Sequence, residues 1–330
     1  MEPGRVSTTA TTRLPAHGYR WRRLSSRTAV ACVVAAIVAA CGSGTSREPQ
    51  GESPAGTTTG DTGSVPSEGT STAAEPREPT VEGTFDVGGH ELFLRCEGSG
   101  SPAVVYMHGS IIDSEVLPHA SGTGFQQLLA EDYQTCVYDR RNVGASDTVG
   151  AAQLPADALD DMRNLLTVAG VEPPYVLVGA SFGGLLSYLY ANEHPDEVVG
   201  MVLLDAMFPD ELALEPLFPA EDSFQALSEA DETESLERIS HFKVLTAGQR
   251  FIGEEPDIPV TYLASKREGY DDNDYGIPAY TSQILTLQAA YVERFSPGRL
   301  ITVDAPHFME PVIPDQIAAA VRGVVEAASR

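Results

Sequence analysis

Basic side chains are scarce. The 330 residues hold 21 Lys and Arg against 47 Asp and Glu, a formal net charge of −26. A surface that acidic repels phosphate, which excludes nucleic-acid binding and disfavours docking on anionic lipid through a basic patch. Cysteine is also thin. Four residues are too few for a disulfide-scaffold protein, and their spacing fits no zinc ribbon or CxxC pair. The single Trp, Trp21, lies in the N-terminal segment. HExxH, GxGxxG and the GxxxxGK phosphate loop are all absent, so no metal or nucleotide cofactor is expected. Internal repeats are absent as well.

Hydrophobic residues make up 42% and charged residues 21% of the chain, ordinary globular usage. They are unevenly distributed. Residues 20–27 carry four Arg and no acid, and an apolar run over 28–40 follows and ends at Cys41. Thirteen residues are too few to span a bilayer, which takes about 20. A basic stretch, a short apolar core and small terminal residues describe a secretory signal. Val38-Ala39-Ala40-Cys41 resembles the bacterial lipobox, which implies cleavage after residue 40 and lipid on the Cys41 thiol. The mature chain would then face outward on the cell membrane, carry a charge of −31 and lack Trp. An uncleaved anchor or a plain signal also exports the domain. Of residues 42–80, 26 are Gly, Ser, Thr or Pro, a composition that cannot bury a core. Residues 41–80 are therefore expected to be a disordered spacer between lipid and domain.

From residue 81 the pattern changes to short apolar runs alternating with helical periods. Residues 84–87 and 90–96 flank Gly88-Gly89 as a hairpin. Buried strands are expected at 103–107, 134–139, 175–179, 199–204, 258–263 and 300–303, and helices at 156–169, 182–194 and 316–327. This alternation implies an α/β domain over 81–330, with a mostly parallel sheet covered on both faces. About fifty residues, 206–257, separate two of the strands. A connection of that length is expected to act as a lid, and Phe208, Leu212, Leu214, Leu217 and Phe218 give it an apolar stretch.

Gly179-Ala180-Ser181-Phe182-Gly183 is the only GxSxG in the chain, with a buried strand before it and a helix after it. On such a turn the small residues at either side let the chains pass, and the serine hydroxyl is lifted clear of the sheet. Ser181 is the candidate nucleophile. It needs a base, and of seven His only His307 follows the last strand, at the carboxyl end of the sheet beside the elbow. The third member must be a carboxylate that orients the imidazole. Asp205, ending the strand that follows the elbow helix, is favoured. Asp271, with Asp272 and Asp274, is the competitor in an acidic loop. Oxyanion donors are expected from the backbone of Phe182 and of Ser110 or Ile111.

The segments VVYMHG, CVYDRRNVGASD, PYVLVGASFGG, HPDEVVGMVLLDA and PHF resemble those of the α/β-hydrolase superfamily, from about residue 89 to the end. Within it the chain is similar to a secreted actinobacterial lipoprotein branch of serine hydrolases. The resemblance implies an eight-stranded, mostly parallel sheet with a lid after strand 6, and an acid after the strand that ends at Asp205. It departs from the usual pattern at Ala180, which replaces a His beside the nucleophile, and at Pro306, which replaces a Gly before the base. It also implies that the strands of Cys96 and Cys136 are neighbours, so that in an exported protein these two should form a disulfide. The activity it implies is that of a carboxylesterase-like serine hydrolase acting on a small-molecule acyl substrate, with no specific protein partner. An amidase, aminopeptidase or acyltransferase on the same triad remains open, as does a ligand-binding lipoprotein without turnover. Aspartate-nucleophile enzymes of this fold are disfavoured by Ser181.

Overall fold

The computed structural model describes residues 79–111, 124–265 and 279–330. The expected signal, Cys41 and the spacer up to residue 78, together with Asp271, Asp272, Asp274 and His119, lie outside the described residues; Thr80, expected to end the spacer, instead donates its N–H to the Cys96 carbonyl at 2.8 Å.

Eight strands form one sheet: β1 Val81–Asp86, β2 Glu91–Glu97, β3 Ala103–Met107, β4 Thr135–Tyr138, β5 Tyr175–Ala180, β6 Val198–Leu204, β7 Val260–Ser265 and β8 Gly298–Val303. Their order is β1-β2-β4-β3-β5-β6-β7-β8. The β1–β2 and β2–β4 pairs are antiparallel and all others are parallel. β3 and β5 are buried at every position, which only a two-sided cover allows. Period-2 alternation divides their side chains between two cores. Val105, Met107, Tyr175 and Leu177 join one core, and Val104, Tyr106, Val176 and Val178 the other.

Among the described residues seven α-helices accompany the strands: α1 Gly124–Leu129, α2 Pro155–Val168, α3 Phe182–Glu193, α4 Phe224–Thr233, α5 His241–Gln249, α6 Tyr280–Val292 and α7 Pro314–Ala328. The first core is closed by α2 through Leu159, Met162, Leu165 and Leu166, and by α3 through Phe182, Leu185, Leu186 and Leu189. The second is closed by α1 through Phe125 and Leu129, and by α7 through Ile317, Val321 and Val324. These i, i+3, i+4 spacings are the apolar stripes of surface helices. Among the described residues no helix is long and apolar enough to cross a membrane.

Differences from the sequence-based expectation have local causes. The strand expected at 258–263 begins two residues later, because Pro259 has no N–H to give the ladder. Helix α6 escapes pattern reading, since its N-cap Ala279 is left-handed (φ 66°) and supplies no side-chain cap. The segment between β6 and β7 contains a 3-10 helix, Pro209–Leu217, followed by α4 and α5. Its apolar residues anchor it. Phe208 and Leu214 are fully buried in the first core, and Leu217 and Phe218 pack on that core's edge. The Cys96–Cys136 disulfide is present, between residues directly opposite each other on β2 and β4.

Candidate active site

Parallel strands end on one edge of the sheet, and three of them deliver the candidate residues there. β5 and β6 run in register to Ala180 and Leu204, so Ser181 and Asp205 emerge side by side, with Ser181 N–H donating to Leu204 C=O at 3.0 Å. Ser181 sits at φ 49°, ψ −121°, a conformation that L-residues adopt only where their surroundings enforce it. Those surroundings are tight. A Cβ on Gly183 would meet the Met107 carbonyl oxygen at 2.0 Å, and one on Gly179 would meet the Gly184 Cα at 2.5 Å. Only glycine lets the elbow nest between β3 and α3.

His307 follows β8 and leads toward α7. Its Nδ1–H donates to Asp205 Oδ2 at 2.8 Å. Asp205 Oδ1 accepts the Ser265 N–H at 3.3 Å, from the end of β7. The Asp205 carboxylate is almost wholly buried, whereas the imidazole is about one-fifth exposed. Held this way, the ring carries its proton on Nδ1 and keeps the Nε2 lone pair for a substrate-side proton. The other described histidines are engaged elsewhere. His108 is buried and bonds the Gly109 carbonyl through Nδ1 at 2.7 Å, and His90 pairs with Asp161 at 3.1 Å. His194 caps the C-terminus of α3.

The backbone donors sort cleanly. Phe182 is the first residue of α3, so its N–H has no intrahelical acceptor and points out of the helix N-terminus. The loop after β3 runs against the elbow: a Cβ on Gly109 would lie 3.2 Å from Ser181 Cβ and 3.8 Å from its Oγ. Of the two alternatives in that loop, Ile111 is corrected by the structure. Its N–H donates to Glu237 Oε1 at 2.8 Å, a carboxylate acceptor that removes it as an oxyanion donor. Among the described residues the Ser110 N–H has no protein acceptor, so of the two it stays the candidate donor.

Two features here were not legible in the sequence. Arg140 reaches under the loop with all three guanidinium nitrogens engaged: Nη1 to His108 C=O at 2.7 Å, Nη2 to Gly109 C=O at 2.8 Å, and Nε and Nη2 to Glu237 at 2.6 and 2.9 Å. Burial pulls the Arg140 pKa down, but the adjacent Glu237 carboxylate outweighs it and holds the guanidinium above its ordinary value. The second feature is His241 at the start of α5, hydrogen-bonded to Ser110 Oγ through Nε2 at 2.6 Å. Arg140 stands in the DRRNVGASD segment, where its role could have been suspected. Nothing in the sequence marks Glu237 or His241, which lie 97 and 131 residues from their partners.

Comparison with known proteins identifies the fold. The chain shares 28% identity over 132 residues with a probable transporter, efuK, of Hormonema carpetanum, covering 38% of this chain and 18% of that protein. It shares 32% identity over 81 residues with the putative carbamate hydrolase RutD of Cronobacter sakazakii, covering 24% of this chain and 30% of the relative. The chain thus spans less than half the length of the curated relatives it matches. Among solved structures, the mouse alpha/beta hydrolase domain-containing protein 10 superposes with a TM-score of 0.52 at 17% identity, over 74% of this chain and 98% of that one. The family model for the alpha/beta hydrolase fold matches residues 102–301, more than half of the chain. With the sheet order, the strained serine elbow and the His307–Asp205 pair on one edge of that sheet, the chain belongs to the α/β-hydrolase fold family.

Proposed function

We propose that the chain is a serine hydrolase that cleaves a carboxylic ester through an acyl-enzyme. In this reading it is exported and tethered outside the membrane by lipid on Cys41, with residues 42–80 as the spacer. One observation carries the catalytic reading: a serine at φ 49° on a strand-to-helix turn, with a histidine locked by a buried aspartate on the same sheet edge. The relatedness to a putative carbamate hydrolase supports hydrolysis in general.

The proposed steps draw on the His307–Asp205 hydrogen bond and on the backbone donors beside the elbow. Ser181 Oγ attacks the ester carbonyl carbon while His307 Nε2 takes its proton. Asp205 stabilises the imidazolium through Nδ1–H. The carbonyl oxygen becomes an oxyanion and receives the N–H groups of Phe182 and Ser110. The α3 N-terminus adds its partial positive charge. Collapse breaks the C–O bond to the alcohol, which leaves with the proton from His307. Water, deprotonated by the same Nε2, then attacks the acyl-Ser181 and releases the acid. The segment between β6 and β7 acts as the lid in this reading.

The test is a fluorophosphonate probe on the full-length chain in detergent, wild type beside Ser181→Ala. Labelling of Ser181 in the wild type, located by mass spectrometry and lost in the variant, is the expected result. A folded wild type that takes no label at Ser181 refutes the reading.

A further inference from the structure

We propose that His241, oriented by Asp231, is a positioning residue that sets both oxyanion donors, acting through the Ser110 hydroxyl and the Phe182 ring. This deepens the hydrolase reading above and rests on it.

The geometry is specific. Asp231 Oδ2 accepts both the His241 backbone N–H at 3.1 Å and its Nδ1–H at 3.0 Å. A carboxylate accepts and does not donate, so Nδ1 carries the ring proton and Nε2 presents a lone pair. Ser110 O–H therefore donates to Nε2, across 2.6 Å. The same imidazole packs on the Phe182 ring with centroids 4.4 Å apart. One side chain thus touches the two residues whose N–H groups face the oxyanion.

The flanks of Ser110 are held independently. Arg140 ties down the carbonyls of His108 and Gly109, and Glu237 ties down the Ile111 N–H. These bonds fix where the loop runs. They orient the peptide planes on either side of Ser110, its own N–H included, because that N–H shares a plane with the Gly109 carbonyl. The His241 bond adds what they lack, a side-chain tie from Ser110 to the ring that packs on Phe182, and so holds the two donors at a fixed separation. An oxyanion donor contributes most when it is aimed before charge develops, because it then needs no reorganisation. Ser110, His241 and Asp231 also form a serine–histidine–aspartate chain of their own. Ser110 nevertheless lacks the positive-φ elbow that lifts Ser181 clear of the sheet, and in this reading its N–H serves the first site.

The experiment uses the full-length chain with p-nitrophenyl butyrate and with a trifluoromethyl ketone, whose adduct on Ser181 carries an oxyanion. His241→Ala and Ser110→Ala should each lower kcat by about 10- to 100-fold with KM within about twofold. That is part of the 100- to 1,000-fold loss seen on deleting such a donor outright. Trifluoromethyl ketone affinity should fall by the same factor. The double variant should be no worse than His241→Ala alone, since both changes cut one connection. His241→Gln, which keeps an acceptor for the Ser110 hydroxyl, should recover part of kcat. Thermal midpoints report whether each variant is folded. Multiplicative losses in the double variant, a rise in KM at constant kcat, or unchanged ketone affinity would overturn the proposal. So would fluorophosphonate label mapped to Ser110 in Ser181→Ala, which would make Ser110 a second nucleophile. Failure of the hydrolase reading itself is distinct: the wild type would then take no label at Ser181 and cleave no ester.

Discussion

Gly183→Ala tests how tightly the elbow is built. A methyl group at this position would sit 2.0 Å from the Met107 carbonyl oxygen, 2.5 Å from that of His108 and 2.6 Å from the Met107 carbonyl carbon. All three are backbone atoms, so no side chain can rotate away. Real Cβ contacts essentially never fall below 3.0 Å, and β3 and α3 must therefore separate by about 1 Å. β3 is the central strand next to β5, and the loop it feeds carries Ser110. Overpacking of this kind costs about 1–3 kcal/mol, and backbone contacts on both sides place it at the upper end. In a domain of this size that lowers the thermal midpoint by about 5–10 °C. A displacement of about 1 Å between nucleophile and oxyanion donors costs about 100-fold in turnover. The control is Gly323→Ala in α7, where a Cβ meets nothing within 4 Å. It should stabilise by about 0.5–1 kcal/mol and leave turnover intact. Calorimetry and p-nitrophenyl ester assays read both effects. Wild-type stability and turnover in Gly183→Ala would refute the argument that the elbow is sterically closed.

The remaining predictions follow the same contacts. Asp205→Asn should keep KM and lower kcat by about 10⁴-fold, because an amide cannot hold the His307 tautomer; a loss under tenfold in ester assays would assign the acid elsewhere. Glu237→Ala leaves the Arg140 guanidinium buried without its counter-charge and should cost about 3–5 kcal/mol. In urea titrations Arg140→Met with Glu237→Leu should then be milder than the single change. Replacing Cys96 and Cys136 by Ala opens a cross-link of sequence separation 40 and should cost about 4 kcal/mol on the chain-entropy account. An unchanged urea midpoint would contradict it. At Glu197, burial pushes the carboxyl up, but hydrogen bonds from Arg163 and from Tyr190 Oη, at 2.5 Å, outweigh it and hold its pKa below the ordinary value. A depressed folded pKa gives stability that is present above the unfolded pKa and lost as pH falls through the folded one. Urea midpoints of Glu197→Gln should therefore decline less than wild type between pH 5 and about pH 3, and parallel curves would refute the linkage.

Much of this fold was legible because its signals are local. Continuous apolar runs mark β3 and β5, since strands covered on both faces need apolar residues at every position. GxSxG is read from five residues, and the flanking strand and helix supply its context. His307 could be ranked first among seven histidines from its place after the last strand. Asp205 could be preferred over Asp271 because a carboxylate ending an apolar strand needs a partner. The elements that escaped lack local marks: α6 has no capping side chain, and the 3-10 helix runs through Pro216.

By itself the sequence determined the order of the strands and of the three helices at 156–169, 182–194 and 316–327, the serine elbow, and the chain order of the candidate serine, aspartate and histidine. These depend on hydrophobic period and on a five-residue motif that is read locally, although the atoms that require Gly183 belong to β3. Only the tertiary structure decided what the loop after β3 bonds to. The Ile111 N–H is taken by Glu237, and Ser110 acquires a histidine from the segment between β6 and β7. Those partners are 126 and 131 residues distant. No periodicity encodes such a pairing. It arises only once α4 and α5 dock against the sheet edge and bring Asp231, Glu237 and His241 over the loop after β3.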